Sequence, residues 1–183
     1  MASEPAWCDN LMARASVGDR RAFGELAAGV QDELFRFALA QGLAWPDAAE
    51  ATQETLLRAY RGRRGYRRDG RAKPWLFGIA MNVVRESRRR RGGTVLGLDP
   101  AVLESASAPE RPVDDEPRRK ALARALEALP PRQREAIACR FLGRMSVRDT
   151  AAAMGCAEGT VKATVSAAME NLRKTLRVYE DDG

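Results

Sequence analysis

The stretch SVRDTAAAMGCAEGTVKATVS, Ser146 to Ser166, contains two short helical segments on either side of a glycine. Ser146 is a good N-cap residue, and Gly155 can take the positive φ that a tight turn after a helix needs. Ala151 is small enough for two helices to cross closely, and Val161 is placed to hold the second helix by an apolar contact. This spacing predicts a helix-turn-helix from Val147 to Ser166. An ordinary helical hairpin is the alternative interpretation.

Cys156 directly follows the turn glycine and has two possible roles. As half of a metal or redox site it would need partners, but the sequence has no histidine and its three cysteines (Cys8, Cys139, Cys156) form no CxxC pair. A zinc site usually takes four Cys or His ligands at close spacing. We therefore predict no metal site and no cofactor, and we interpret Cys156 as a small apolar residue that points inward.

The composition argues against an enzyme and against a membrane protein. The lack of histidine removes the commonest general base, and no GxSxG, P-loop or GxGxxG motif is present. No apolar run approaches the ~20 residues of a membrane span. A sparse, odd number of cysteines without a signal peptide is typical of a reducing compartment, so we expect a cytoplasmic protein.

Charge and composition divide the chain of 183 residues into two parts. The net charge of +6 is unevenly distributed, because residues 61–91 alone carry +10 and residues 92–117 carry −5. The acidic segment is rich in Gly, Pro and Ser and has little helical periodicity, which indicates a flexible linker. The predicted units are therefore a first domain over 9–91, a linker over 92–117 and a second domain over 118–178.

Apolar residues at helical spacing fill both domains, and strand signals are absent. The predicted helices span residues 19–41, 47–61, 74–91, 118–129, 132–142, 147–154 and 158–177. We expect Asp47 to cap the second of these helices and Pro74 to be the first residue of the third. The fold class is all-α, with two small helical domains joined by a flexible acidic linker, the second containing the helix-turn-helix.

The basic block 61–91 contains aromatic residues among its arginines, and Tyr66 and Trp75 are two of them. Guanidiniums neutralise phosphates, and aromatic rings offer stacking surfaces for bases, so the block favours a nucleic-acid contact. A solvated basic face is the alternative for the charges. Core packing is an equally good alternative for the two rings.

Three segments together resemble one protein family, the bacterial extracytoplasmic-function (ECF) sigma factors of the sigma-70 family. ALEALPPRQREAIACRFLGRMSVRDTAAAMGCAEGTVKATVSAAMENLRK resembles the promoter-binding C-terminal domain of that family. DAAEATQETLLRAYR resembles its polymerase-binding helix, and PWLFGIAMNVVRESRRRR resembles its helix for the minus-ten element. Their order and the linker also agree, and the resemblance covers almost all of the chain.

The resemblance implies a dissociable subunit of bacterial RNA polymerase. Such a protein binds core polymerase, directs it to specific promoter DNA and initiates transcription, and it is often controlled by an anti-sigma factor. It is not an enzyme by itself. A conventional helix-turn-helix regulator of duplex operators is the runner-up, but it would not need the first domain. An RNA-binding interaction protein, the third possibility, would not need the turn chemistry at Gly155.

The resemblance also assigns site residues in this chain. Core polymerase would meet a polar helix face, for which plain solvation is the alternative interpretation. This face consists of Asp47, Glu50, Gln53, Glu54 and Arg58. The minus-ten DNA would meet Arg64, Tyr66, Arg67, Arg68, Arg71, Lys73, Trp75, Asn82, Arg85 and Arg89. The minus-thirty-five DNA would meet Glu158, Thr160, Lys162, Ala163, Thr164 and Ser166.

Two features depart from the family pattern. The recognition helix has no positive charge between Lys162 and Arg173, where the family is usually rich in arginine. Thr150 stands where the family prefers isoleucine. Fewer phosphate contacts weaken binding to duplex DNA. We therefore expect the first domain to supply more of the promoter affinity than is usual.

Overall fold

The computed structural model describes residues 5–67, 71–90 and 116–181, and this part of the chain is helical without strands. The all-α prediction is confirmed. The helices are α1 (Pro5–Ser16), α2 (Arg20–Ala40), α3 (Trp45–Gly62), a 3₁₀ turn (Arg63–Gly65), α4 (Ala72–Arg90), α5 (Glu116–Ala128), α6 (Pro131–Ile137), a π turn (Ala138–Leu142), α7 (Val147–Met154) and α8 (Glu158–Asp181). The predicted linker falls outside the described residues, except for its last two residues, which begin α5.

Helix α2 is the centre of the first domain. It begins as predicted after Asp19, whose Oδ1 accepts a hydrogen bond from the Ala22 amide at 3.0 Å. One face, including Leu26, Val30 and Leu34, is at most 1% exposed. This face packs against α1 and α3.

Helix α1 was not predicted from the sequence. Its residues Cys8, Met12 and Ala15 are buried in the core of the first domain. The Asp9 Oδ1 accepts a hydrogen bond from the Ala72 amide at 2.7 Å, so α1 also caps the start of α4. The helical structure therefore begins before residue 9, where we placed the start of the domain.

Two predicted helix starts in the first domain were wrong. Helix α3 begins at Trp45 with Pro46 in its first turn, and Asp47 is a buried residue inside the helix rather than its cap. Helix α4 begins at Ala72, two residues before Pro74, because Asp9 supplies the cap from a distant part of the chain. Both prolines still lie in the first turn, where a missing amide hydrogen is not needed.

The helix-turn-helix forms as predicted. The Ser146 Oγ accepts a hydrogen bond from the Asp149 amide at 3.1 Å, and Gly155 ends α7 with a φ of 61°. Ala151 is 5% exposed at the helix crossing and Val161 is fully buried. These contacts are the ones that the spacing requires of a helix-turn-helix.

The cysteines are free thiols in apolar surroundings. Cys8 and Cys139 are buried, and Cys156 is half-buried against the core of the second domain. Burial raises the pKa of the Cys8 thiol to about 12 and raises the pKa of Cys139 as well. Thiols held in this protonated form are poor nucleophiles.

The two domains pack against each other along α4. Helix α7 lies against α4, and the π turn after α6 lies against α2. A Cβ on Gly78 would lie 3.5 Å from the Ala153 carbonyl oxygen, and a Cβ on Gly143 would lie only 3.0 Å from the Phe77 ring. At Gly143 a Cβ would crowd the Phe77 ring, so glycine lets this ring pack on the π turn, whereas at Gly78 a Cβ would make only an ordinary contact with α7. The contact places the helix-turn-helix directly over the basic segment of the first domain.

Candidate nucleic-acid interface

A groove of about 860 Å³ lies between α4 and α7. Six of the ten residues predicted to contact minus-ten DNA line it: Tyr66, Arg67, Arg71, Trp75, Asn82 and Arg85. The opposite wall belongs to the second domain and includes Arg148, Asp149 and Met154. The fold thus gathers side chains from the loop before α4 and from one face of α4 into a single concave surface.

The two aromatic residues of the groove have different environments. The Tyr66 and Trp75 ring centroids lie 5.5 Å apart, with the ring planes tilted by 59°. Tyr66 is only 7% exposed, so core packing is the better description of its role. Trp75 is half-buried and keeps ring surface toward the groove. Of the two predicted stacking platforms, Trp75 is the one that a base could reach.

Asn82 is the exposed polar residue on the same face of α4 as Trp75. Its amide offers two hydrogen-bond donors and a carbonyl acceptor, so it can form hydrogen bonds with the edge of a base. The positively charged groups on either side of it can hold the adjoining phosphates. This arrangement suits a single strand that is held by its backbone while one base is read.

Two arginines of the groove are already paired with acids of the second domain. The Arg71 Nη1 donates to Asp149 Oδ1 at 2.5 Å. Arg85 binds Glu135 through two hydrogen bonds, Nε to Oε1 at 2.8 Å and Nη2 to Oε2 at 2.7 Å. The bonds to Glu135 raise the pKa of Arg85. Arg67 is exposed at the groove edge.

Three of the remaining predicted minus-ten residues are described by the structure, and they do not line the groove. The Lys73 Nζ forms an ion pair with Glu33 Oε2 at 2.8 Å, and both side chains are largely covered. Arg64 and Arg89 are exposed, at the 3₁₀ turn and at the end of α4. Arg68 lies outside the described residues.

The structure exposes part of the α3 face that we predicted to bind polymerase. Glu50 and Gln53 are exposed, whereas Asp47 is 5% exposed and does not belong to the surface. Arg58 donates to Glu54 Oε1 at 2.6 Å and to both oxygens of Glu86, at 3.0 and 2.7 Å. Hydrogen bonds to Glu86 and then Glu54 raise the pKa of Arg58. This cluster ties α3 to α4 at the protein surface.

The recognition helix α8 presents its predicted DNA contacts to solvent. Five of them are exposed and Thr164 is half-buried, the exposed ones being Glu158, Thr160, Lys162, Ala163 and Ser166. The Thr150 hydroxyl on α7 is fully buried, and its Oγ1 has no hydrogen-bond partner among the described atoms. The departure from the family pattern at this position therefore leaves an unsatisfied polar atom in the core.

The residues between the domains escaped the sequence analysis. Glu135 is 5% exposed, and Gln41 and Arg134 exchange long hydrogen bonds of 3.5 Å between α2 and α6. Burial lowers the pKa of Arg134, although two more carbonyls accept from its guanidinium. These pairs join residues from opposite halves of the chain, so no local periodicity marks them.

Among the described residues, no three or more Cys, Asp or Glu side chains gather as metal ligands. In the same part of the chain, no helix combines the length and apolar character needed to cross a membrane.

The fold and the groove define a two-domain DNA-binding protein with a helix-turn-helix. The model of sigma-70 region 2 matches residues 26–94, and the model of sigma-70 region 4 matches residues 119–172. The ECF RNA polymerase sigma factor SigM of Mycobacterium tuberculosis is 33% identical over 91% of this chain and 83% of its own length. The ECF RNA polymerase sigma-E factor of Escherichia coli is 30% identical over 87% of this chain and 89% of its own length.

Two solved structures are similar along both domains. CnrH in complex with the cytosolic domain of CnrY is 26% identical with a TM-score of 0.73, covering 94% of this chain and 98% of that one. RpoE in complex with the anti-sigma factor NepR from Bartonella quintana is 29% identical with a TM-score of 0.65, covering 85% and 97%. The chain belongs to the ECF RNA polymerase sigma factors, the subunits that direct core polymerase to promoters.

Proposed function

We propose that the α4 groove is where this sigma factor holds the melted minus-ten element. The observation that carries the proposal is the convergence of Trp75, Asn82, Arg71 and Arg85 on one surface. A base taken out of the stack needs an aromatic surface, a hydrogen-bonding edge and neutralised phosphates. The groove contains all three, with Arg64, Arg67 and Arg89 as further phosphate contacts on the flanking surface.

The second domain would recognise the minus-thirty-five element through α8. Lys162 is the single cation in the exposed set of predicted contacts, with Thr160 and Ser166 beside it as neutral hydrogen-bonding groups. A helix with so little positive charge makes few phosphate contacts, and log K falls with log salt by about 0.9 for each one in B-DNA. The salt dependence of promoter binding should therefore come mainly from the first domain.

Core polymerase would bind the exposed part of α3. Glu50, Gln53 and Glu54 form a polar strip along one side of the helix, and Arg58 is held at its edge by Glu86. An acidic strip of this kind suits a basic partner surface. Because Arg58 is already engaged by two carboxylates, we assign the acids, rather than Arg58, the larger share of the contact.

We further propose that an anti-sigma factor controls the protein, since CnrH and RpoE are each similar to this chain and were solved with CnrY and NepR. We place the protein in the cytoplasm, where polymerase and promoter DNA are, and assign it no catalytic chemistry of its own. Its domains would have the boundaries 9–91 and 118–178, extended at the N-terminus to include α1.

The test is run-off transcription with purified core polymerase on genomic promoters. The chain should produce specific transcripts only when core polymerase is present, and permanganate should detect unpaired thymines near minus ten. A conventional helix-turn-helix regulator would instead bind a specific duplex without polymerase. Specific duplex binding by the free chain, with no transcript from any promoter, would contradict the proposal.

A further inference from the structure

Helix α3 carries large apolar side chains on its solvent side. Among the residues that the structure describes, five large apolar side chains are exposed, namely Trp7, Val17, Trp45, Leu57 and Phe141. Two of the five, Trp45 and Leu57, belong to α3. Trp45 is 63% exposed and is the largest of these side chains to be more than half exposed. Single exposed apolar residues are common on protein surfaces, but several on one element indicate an interaction site.

The Trp45 side chain is held in place although most of its ring faces water. Its ring centroid lies 5.4 Å from that of Phe35 on α2, with the ring planes at 72°. Leu43, which is 5% exposed, fixes the turn before Trp45, and Pro46 restricts the backbone directly after it. A side chain that is already positioned loses little conformational entropy when a partner covers it.

Trp45 is continuous with the polar strip of α3 that we assign to core polymerase. Exposed residues of this helix recur with the three- and four-residue spacing of one helix face, at Pro46, Glu50, Gln53 and Leu57. Trp45 lies at the N-terminal end of this face, about 7–8 Å before Glu50 along the helix axis. A partner surface that meets Glu50 and Gln53 therefore also reaches the indole ring.

We propose that Trp45, supported by Phe35, is an apolar anchor of this sigma factor on core polymerase. The inference rests on the proposed assignment of the α3 strip to core polymerase. It extends that strip beyond the stretch from Asp47 to Arg61, which carries the resemblance to the polymerase-binding helix of the family. The partner surface would combine a basic patch for the acids with an apolar recess for the indole.

The acids and the indole have different roles in this contact. Tryptophan is one of the residue types that carry most of the binding energy at protein interfaces, where neighbouring polar contacts exclude water from it. Exposed charges such as Glu50 mainly steer the approach of a basic partner and are screened by salt. The indole therefore slows dissociation, whereas the acids mainly speed association.

The test is competition of unlabelled variants with the labelled wild-type chain for purified core polymerase. Trp45→Ala should bind about thirtyfold more weakly, which is the effect of truncating a tryptophan anchor. The loss should lie in the dissociation rate and should be similar at low and high salt, because an apolar contact is not screened. The double variant Glu50→Lys, Glu54→Lys should instead lose affinity mainly at low salt.

Val17→Ala is the matched control. Val17 is 68% exposed and lies directly after α1, so this substitution removes exposed apolar surface away from α3. It should compete like the wild type. Trp45→Gln is the second test variant, because its unbranched side chain still covers part of Phe35 while the ring is lost. It decides the question if Trp45→Ala lowers the unfolding midpoint.

The outcomes separate this inference from the proposed function. Wild-type competition by Trp45→Ala and Trp45→Gln, at unchanged unfolding midpoints, would overturn the anchor, and an indole that serves a second copy of the chain or an anti-sigma factor would give that result. A loss of affinity that disappears at high salt, or an equal loss in Val17→Ala, would also overturn it. Failure of run-off transcription by the wild type would instead overturn the proposed function.

Discussion

Thr150 shows how one residue can be tolerated at a cost in stability. Its hydroxyl is fully buried without a hydrogen-bond partner among the described atoms. An unsatisfied buried polar group costs about 1–3 kcal/mol. We expect Thr150→Val to raise the free energy of unfolding by about 1 kcal/mol, because the new methyl group needs no partner. Denaturant unfolding of the two proteins measures the difference.

A structured water that satisfies the Thr150 hydroxyl would reverse this result, and Thr150→Val would then destabilise the protein. Thr175→Val is the control. Thr175 donates to the Asn171 carbonyl at 3.0 Å, so the same substitution there removes a hydrogen bond instead of an unsatisfied group. It should not stabilise the protein.

Asn82 is the residue on which base selectivity should depend. Asn82→Ala removes every hydrogen bond that the side chain can make, and we expect loss of about 1–3 kcal/mol of discrimination at one promoter position. Transcription from a panel of promoters that differ at single minus-ten bases measures this. Arg89→Ala is the comparison. Loss of its phosphate contact should weaken binding to all promoters alike and reduce the salt slope by about 0.7–0.9. Equal base preferences in Asn82→Ala and wild type would contradict the assignment.

At the scale of the element, the polymerase-binding face of α3 can be tested by charge reversal. The double variant Glu50→Lys, Glu54→Lys should weaken core binding and leave helix content unchanged, since lysine and glutamate have similar helix propensity. Competition with labelled wild type for core polymerase measures it. The control is Glu25→Lys, Asp32→Lys, which makes the same change of charge on exposed positions of α2. If both double variants compete like wild type, α3 is not the docking helix.

The elements that the sequence predicted well are those whose determinants are local. Ser146, Ala151, Gly155 and Val161 lie within sixteen residues, and each acts on its own turn or on the next helix. Helix α1 was missed although its buried residues Cys8, Met12 and Ala15 lie at helical spacing. The start of α4 was misplaced because its cap, Asp9, lies 63 residues away. Local patterns predict helices, but they do not predict a cap supplied by another helix.

At the scale of the whole molecule, the two domains share part of one core. Phe77 is fully buried, with its ring 5.4 Å from that of Phe37 and against the turn at Gly143. Phe77→Ala should cost about 3–5 kcal/mol and lower the unfolding temperature of both domains. Calorimetry measures it, with Phe141→Ala as the control because Phe141 is 54% exposed. A shift confined to one of two separate transitions would show that the domains unfold independently.

The relation between the domains could not be predicted from the sequence. The charge of Glu135 and Asp149 is visible there, but nothing in their spacing identifies Arg85 and Arg71 as partners, 50 and 78 residues away. The basic block was singled out for its charge and aromatic residues, and part of it lines the groove. Its division into groove residues, the buried Tyr66 and the paired Lys73 depends on tertiary packing.

The cap that Asp9 gives to α4 has a practical consequence for anyone who shortens the chain. The region 2 match begins at residue 26, so a fragment cut at that boundary would contain every residue assigned to DNA. It would lack Asp9, and it would lack Met12, which is fully buried. The amide of Ala72 would then lose its hydrogen-bond partner at the first turn of α4, and apolar surface of α2 and α4 would face water. Fragments for structural or binding work should keep α1.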